Sequence, residues 1–243
     1  MGDGEMVIKA GSGRAVRDDV QDQGRYGVML MGFNAVCLRR LAAVAGFTLL
    51  PLVAQAAPVK IMAFGDSLFA GYGLSSDADN IPSQIEKGLK ADGHDVTMVN
   101  AAVSGDTTAD GLARLDWSLQ DKPDLVLLEL GANDALRGLD PDRAKANLDG
   151  ILARLKAAGV PVLICGMIAP RNLGPAYSAE FDPMFKELAD KYQVPLYPFI
   201  LDGVALDHAL NQADGMHPNK DGAAIIAKRL TPAVEKALPA PKS

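Results

Sequence analysis

The chain has 243 residues, 49% of them hydrophobic and 22% charged, the make-up of a globular protein with enough apolar mass for its own core. Its 24 Lys and Arg stand against 30 Asp and Glu, a formal charge of −6. That balance, without a basic run, excludes nucleic acid as the expected partner, because phosphate backbones recruit clustered Lys and Arg.

The first element does not belong to a fold. Cys37-Leu38-Arg39-Arg40 precedes LAAVAGFTLLPLV, an apolar run from Leu41 to Val53, and Ala54-Gln55-Ala56 follows it. A basic region, a short apolar region and a small-x-small site in that order mark a secretory signal peptide. The run falls short of the roughly 20 residues that a membrane-spanning helix needs. We therefore expect a signal peptide at 31–56, cleaved after Ala56, and export to the periplasm or the medium. Residues 1–30 are polar, Gly-rich and aperiodic, a poor beginning for an export signal. They read as a mis-called or non-native leader, with Met29 or Met31 as the natural start. Cys37 falls in the signal and Cys165 stands alone, so neither an internal disulfide nor a cysteine zinc site is expected.

From Ala57 the pattern changes. Five short aliphatic runs, Val59–Phe64, Asp95–Asn100, Leu125–Leu130, Val160–Ile164 and Val194–Tyr197, are nearly continuous rather than alternating. Strands of a parallel sheet covered on both faces read this way. Between and after them lie segments of helical spacing: Ile81–Ala91, Thr107–Leu119, Pro141–Ala158, Ser178–Tyr192 and Lys220–Leu238. Asp140-Pro141 is an N-cap followed by proline at the first helical position, and Ala158-Gly159 is a C-terminal signal. Alternating strand and helix predicts one α/β domain over 57–243, a doubly wound three-layer α/β/α sandwich on a five-stranded parallel sheet.

Such a sheet binds ligands beyond the carboxyl ends of its strands. There the chain places Gly65-Asp66-Ser67, then Ser104-Gly105-Asp106-Thr107, then Gly131-Ala132-Asn133-Asp134, and before the last helix Asp214-Gly215-Met216-His217-Pro218. Each has an ordinary structural role open to it. Ser67 suits a turn or N-cap, Gly105 a turn, Asn133 a loop cap, and Asp214-x-x-His217 a surface turn. Together they hold the parts of acyl transfer: a nucleophile, a base, a group to orient the base, and donors for an oxyanion. Ser67 would supply the hydroxyl and His217 the base. Asp214, three residues earlier, can return to the imidazole Nδ1. Gly105 offers an N–H with no side chain in the way, and Asn133 a side-chain amide. Ser104 is a rival nucleophile better read as a turn residue, and Asp66 is expected to brace its turn through backbone N–H groups. His94 and His208 read as surface residues. No second histidine at ligand spacing suggests a metal, and no Gly-rich phosphate loop suggests a nucleotide cofactor. No cofactor is expected. No Gly-x-Ser-x-Gly elbow surrounds Ser67.

The four blocks, in this order, resemble the SGNH (GDSL) hydrolase family, whose serine, glycine, asparagine and histidine map onto Ser67, Gly105, Asn133 and His217. "AAVSGDTTADGLARL" and "LELGANDALRG" are similar to its bacterial periplasmic thioesterase I, lysophospholipase and arylesterase group. The likeness spans Val59 to Leu238 and implies the flavodoxin-like SGNH hydrolase fold. It implies hydrolysis of small to medium acyl esters or thioesters, with residues 135–140 as a mobile loop over the acyl chain. Residues 169–175, after the fourth strand, could line the other side, and two plain surface loops are the alternative for both segments. Phe69 and Tyr72 could narrow the pocket or pack beneath it. The alternatives are a carbohydrate acetylesterase of the same superfamily and a non-catalytic envelope ligand-binding protein.

Overall fold

The computed structural model describes residues 57–240; the expected leader (1–30) and signal peptide (31–56) lie outside the described residues. Five strands form the sheet: β1 (Val59–Gly65), β2 (Val96–Asn100), β3 (Leu125–Glu129), β4 (Val162–Cys165) and β5 (Leu196–Tyr197). Their order is β2-β1-β3-β4-β5 and every pairing is parallel. β3 and β4 are buried throughout, and β1 from its third residue on. That accounts for the unbroken aliphatic runs: with helices on both faces, neither side of these strands meets water.

Among the described residues eight α-helices cover the sheet or end its strands: α1 (Ser67–Ala70), α2 (Ile81–Ala91), α3 (Thr108–Ser118), α4 (Ala132–Leu136), α5 (Pro141–Ala157), α6 (Gly174–Phe181), α7 (Met184–Tyr192) and α8 (Lys220–Ala237). α2 packs against α8, while α3 and α7 pack against α5. Right-handed crossovers require this division, because the chain moves one way from β1 to β2 and the other way from β2 onward. The point where direction reverses lies between β1 and β3. There the two following loops diverge to opposite faces and open a crevice at the carboxyl edge.

Local signals set most boundaries. Asn80 caps α2 by accepting the Ser83 N–H, and Asp140 caps α5 by accepting that of Asp142. Thr107 and Asp110 form a reciprocal capping box at the start of α3, which moves Thr107 from helix to cap. One expectation needs correction. Ser178–Tyr192 is two helices, α6 and α7, parted at Asp182-Pro183. Pro183 has no N–H to donate, and its ring clashes with the carbonyl four residues back, so the apolar periodicity runs through a break. α1 and α4 are too short to show a period, and both carry residues of the site. Among the described residues no helix is long and apolar enough to cross a membrane.

Candidate active site

β1 ends at Gly65, and Asp66 caps α1 with its Oδ1 accepting the Leu68 N–H at 3.1 Å. Asp66 thus braces the turn, and Ser67 becomes the first helical residue, half-buried at the carboxyl edge. Its Oγ lies 2.9 Å from His217 Nε2, across 150 residues of chain. His217 stands on the loop before α8, where a bridge between Asn211 and Pro218 closes the base. Within that loop Asp214 Oδ1 accepts the N–H groups of Met216 and His217 at 2.9 and 3.0 Å, and its Oδ2 accepts from His217 Nδ1 at 2.7 Å. The imidazole bond and these two amides hold the Asp214 carboxyl down at about 2, against an ordinary 3.8. An ionised Asp214 only accepts, so the ring hydrogen sits on Nδ1 and the Nε2 lone pair faces the Ser67 hydroxyl.

Gly105 follows β2 with φ +89°, a backbone that a side chain would strain. The N–H groups of Ser67 and Gly105 donate to no group among the described residues. Asn133, on α4, is differently placed. Its Nδ2 donates to Asp66 Oδ2 at 3.1 Å and to the Asp106 carbonyl at 3.0 Å, so both amide hydrogens are engaged. All five residues singled out from the sequence therefore converge on one crevice. Ser104 does not join them: it is an exposed turn residue. His208 is exposed, whereas His94 departs from a simply solvated residue by pairing with Glu235 of α8 at 3.0 Å.

Phe69 is fully buried beneath the turn, while Tyr72 is exposed and lays its ring 4.7 Å from that of His217. Residues 135–140 begin inside α4 rather than as a loop. Arg137 Nη2 donates to the Gly105 carbonyl at 2.7 Å, and the Tyr177 hydroxyl to the Leu139 carbonyl at 2.7 Å. This segment is thereby pinned to both the β2 loop and α6.

Two residues passed over in the sequence hold the site together. Arg114, on α3, donates to the Asp106 carboxylate at 2.5 Å and to the carbonyls of Ala101 and Gly65 at 2.6 and 3.1 Å, with its guanidinium over the Phe64 ring. One planar fork thus joins the ends of β1 and β2 to the Gly105 loop. Gln212 spans the other gap. Its side-chain amide donates to the carbonyls of Tyr72 (2.7 Å) and Pro218 (3.0 Å), and its backbone N–H to the His217 carbonyl (2.8 Å). The segment after Ser67 is tied in this way to the loop that carries His217. Nothing local marks either residue. Gln212→Ala is expected to lower kcat about tenfold with KM and Tm little changed, because the two halves of the serine–histidine pair drift while the core stays intact. Steady-state kinetics beside a thermal melt check this.

The floor of the site is acidic. Burial pushes Asp66 up to about 6 from an ordinary 3.8, against donors from Leu68 and Asn133 that pull it down. A carboxyl raised by folding stabilises the fold fully below its unfolded value and loses that contribution as pH rises through the folded value. Relative to Asp66→Asn, wild-type stability in urea is therefore expected to fall by about 3 kcal/mol between about pH 4 and about pH 8.

A parallel α/β sheet that carries a hydroxyl, an imidazole and a carboxylate in one hydrogen-bonded line at its carboxyl edge is the framework of a serine hydrolase. The chain belongs to the GDSL-like Lipase/Acylhydrolase family, whose model matches residues 63–225. It is similar to the arylesterase of Vibrio mimicus, 40% identical over 190 residues that make up 78% of this chain and 94% of that one. It is also similar to thioesterase 1/protease 1/lysophospholipase L1 of Escherichia coli strain K12, 38% identical over 210 residues, 84% of this chain and 98% of that one. The crystal structure of AlinE4, an SGNH-hydrolase family esterase, matches with a TM-score of 0.64 and 46% identity over 77% of this chain and all of that one.

Proposed function

We propose that the chain hydrolyses carboxylic esters and thioesters through an acyl-enzyme on Ser67, in the exported, periplasmic form that its N-terminal segment suggests. The observation that carries the reading is the line Asp214–His217–Ser67, at 2.7 and 2.9 Å. Ser67 Oγ attacks the carbonyl carbon as its proton passes to His217 Nε2, and Asp214 stabilises the imidazolium. The tetrahedral oxyanion is met by the N–H groups of Ser67 and Gly105. Asn133 joins by sharing an amide hydrogen now given to the Asp106 carbonyl. Each such donor is worth about 3 kcal/mol of barrier. Collapse expels the alcohol or thiol with the proton from His217, and a water activated by the same imidazole releases the acid.

The surroundings favour an acyl chain over a sugar acetate. Tyr72, Val103, Leu136, Leu139 and Met216 are exposed apolar residues on the segments that bear Ser67, Gly105, Asn133 and His217, where a hydrocarbon chain can cover them. A fluorophosphonate is expected to label the protein at Ser67 alone, and nitrophenyl esters of medium acyl chains to turn over faster than the acetate. Labelling elsewhere would refute the nucleophile assignment, and a strict acetate preference would point to the carbohydrate esterases.

A further inference from the structure

Acyl transfer by Ser67, His217 and Asp214 leaves unused a carboxyl that lies beneath the nucleophile turn. Glu129 closes β3, and the strand register sets it opposite Gly65 at the end of β1. Its side chain is wholly buried. Room exists because residue 65 is glycine: a Cβ there would stand 2.5 Å from Glu129 Oε2 and 2.7 Å from the Glu129 carbonyl oxygen. Oε2 accepts the Asp66 N–H at 3.1 Å. Among the described residues Oε1 is the buried side-chain oxygen that no donor reaches.

An ionised carboxylate in that position would leave one charged oxygen with neither water nor donor, a costly arrangement. A carboxylic acid has no such deficit. It can donate its proton, and the residue against it is Asp66, whose amide lies 3.1 Å from Oε2 and whose own carboxyl is buried with it. Two carboxyls in contact in a dry site do not both ionise. Their donors decide which one keeps the proton. Asp66 receives N–H groups from Leu68 and from Asn133, each at 3.1 Å, whereas Glu129 receives the Asp66 amide alone.

We propose that Glu129 is a positioning residue that acts as a neutral carboxylic acid, accepting the Asp66 amide and donating to the Asp66 carboxylate. Through Asp66 it fixes both the turn that presents Ser67 and the Asn133 amide. The inference rests on Ser67 as nucleophile and Asn133 as an oxyanion donor. The other groups facing the pair fit this state. His217, across Ser67, favours an ionised Asp66 whenever it holds the serine proton as imidazolium. Cys165 on β4 faces Glu129 with a thiol that burial pushes up, so it adds no charge. The Arg114 guanidinium reaches the Gly65 carbonyl beside Asp66. Burial, and then the charge of Asp66, raises Glu129 well above the usual carboxylate range.

The test compares Glu129→Gln with Glu129→Leu in the full chain, with rates expressed per fluorophosphonate-titrated serine. A glutamine amide accepts and donates as the acid does but does not titrate. Glu129→Gln is therefore expected to keep kcat on a nitrophenyl ester within about threefold, with the acid limb of kcat/KM unmoved. Glu129→Leu removes both bonds and is expected to lower kcat at least about tenfold at unchanged KM. At about pH 8 the infrared spectrum of the wild type should contain a protonated-carboxyl C=O band that Glu129→Gln lacks. A downward shift of the acid limb in Glu129→Gln, or no such band in the wild type, means that Glu129 is ionised and overturns the proposal. Wild-type kcat in Glu129→Leu overturns it too. If Glu129→Leu does not fold, Glu129→Gln and the infrared band decide. Failure of the parent reading looks different: labelling would persist in Ser67→Ala while the Glu129 band stayed in place.

Discussion

Ser67→Ala is expected to lower kcat/KM for ester hydrolysis by about 10⁵-fold and to leave KM within a few-fold. In the proposed mechanism the substitution removes the atom that bonds the acyl carbon, so nothing remains for His217 to deprotonate except water. What survives is the contribution of the oxyanion donors and of binding, which in such machinery keeps a residual acceleration. Because serine and imidazole act as a unit, the double variant Ser67→Ala/His217→Ala should be no slower than Ser67→Ala alone. Two independent losses that multiplied would mean that the two residues work in separate steps. The fold should hardly notice. The hydroxyl is half-buried, its bond is to an imidazole 18% exposed, and water can take its place. A thermal melt within a few degrees of wild type, alongside the kinetics, shows that chemistry was lost and not structure.

Asp214→Asn is expected to cost about 10³-fold in kcat, and to be no better than Asp214→Ala. Asparagine fills the same space but can turn an N–H toward the ring. The imidazole would then accept at Nδ1, carry its hydrogen on Nε2, and have no lone pair for the Ser67 proton. The loss should fall below that for a fully buried carboxylate, because the Asp214 side chain is a third exposed and water can partly replace it. Its sign with pH is also set. Held at about 2, the carboxylate gives stability that is present above the unfolded value near 3.8 and is lost as pH falls through about 2. Asp214 is thus charged at every pH above about 4, and a decline of activity between about pH 8 and pH 5 belongs to other groups. Asp66, at about 6, is one of them. Rates for wild type and both variants on one chromogenic ester measure the loss and its order.

Much of this was legible in the chain. Runs of residues that cannot face water on either side had to become strands of a covered parallel sheet, and a covered parallel sheet offers only its carboxyl edge to a ligand. The Asp214–His217 contact was legible for a different reason: it spans three residues, and backbone sterics restrict what so short a loop can do. The break at Pro183 was legible too, since an internal proline costs a helix a hydrogen bond and often breaks it, but an apolar period that carried on past it masked the signal. α1 and α4, with four and five residues, are shorter than the window in which any period can be seen.

What the amino-acid sequence determined by itself was local: which segments bury both faces, where α5 is capped, and which residues follow each strand. The tertiary structure alone decided what those residues meet. Gln212 touches Tyr72 across 140 residues, Arg114 reaches Gly65 across 49, and Glu129 meets Asp66 across 63. Such pairings follow from the register of parallel strands and the crossing of packed helices. No spacing along the chain encodes them, because in a crossover fold neighbours in space are separated by whole helices in sequence.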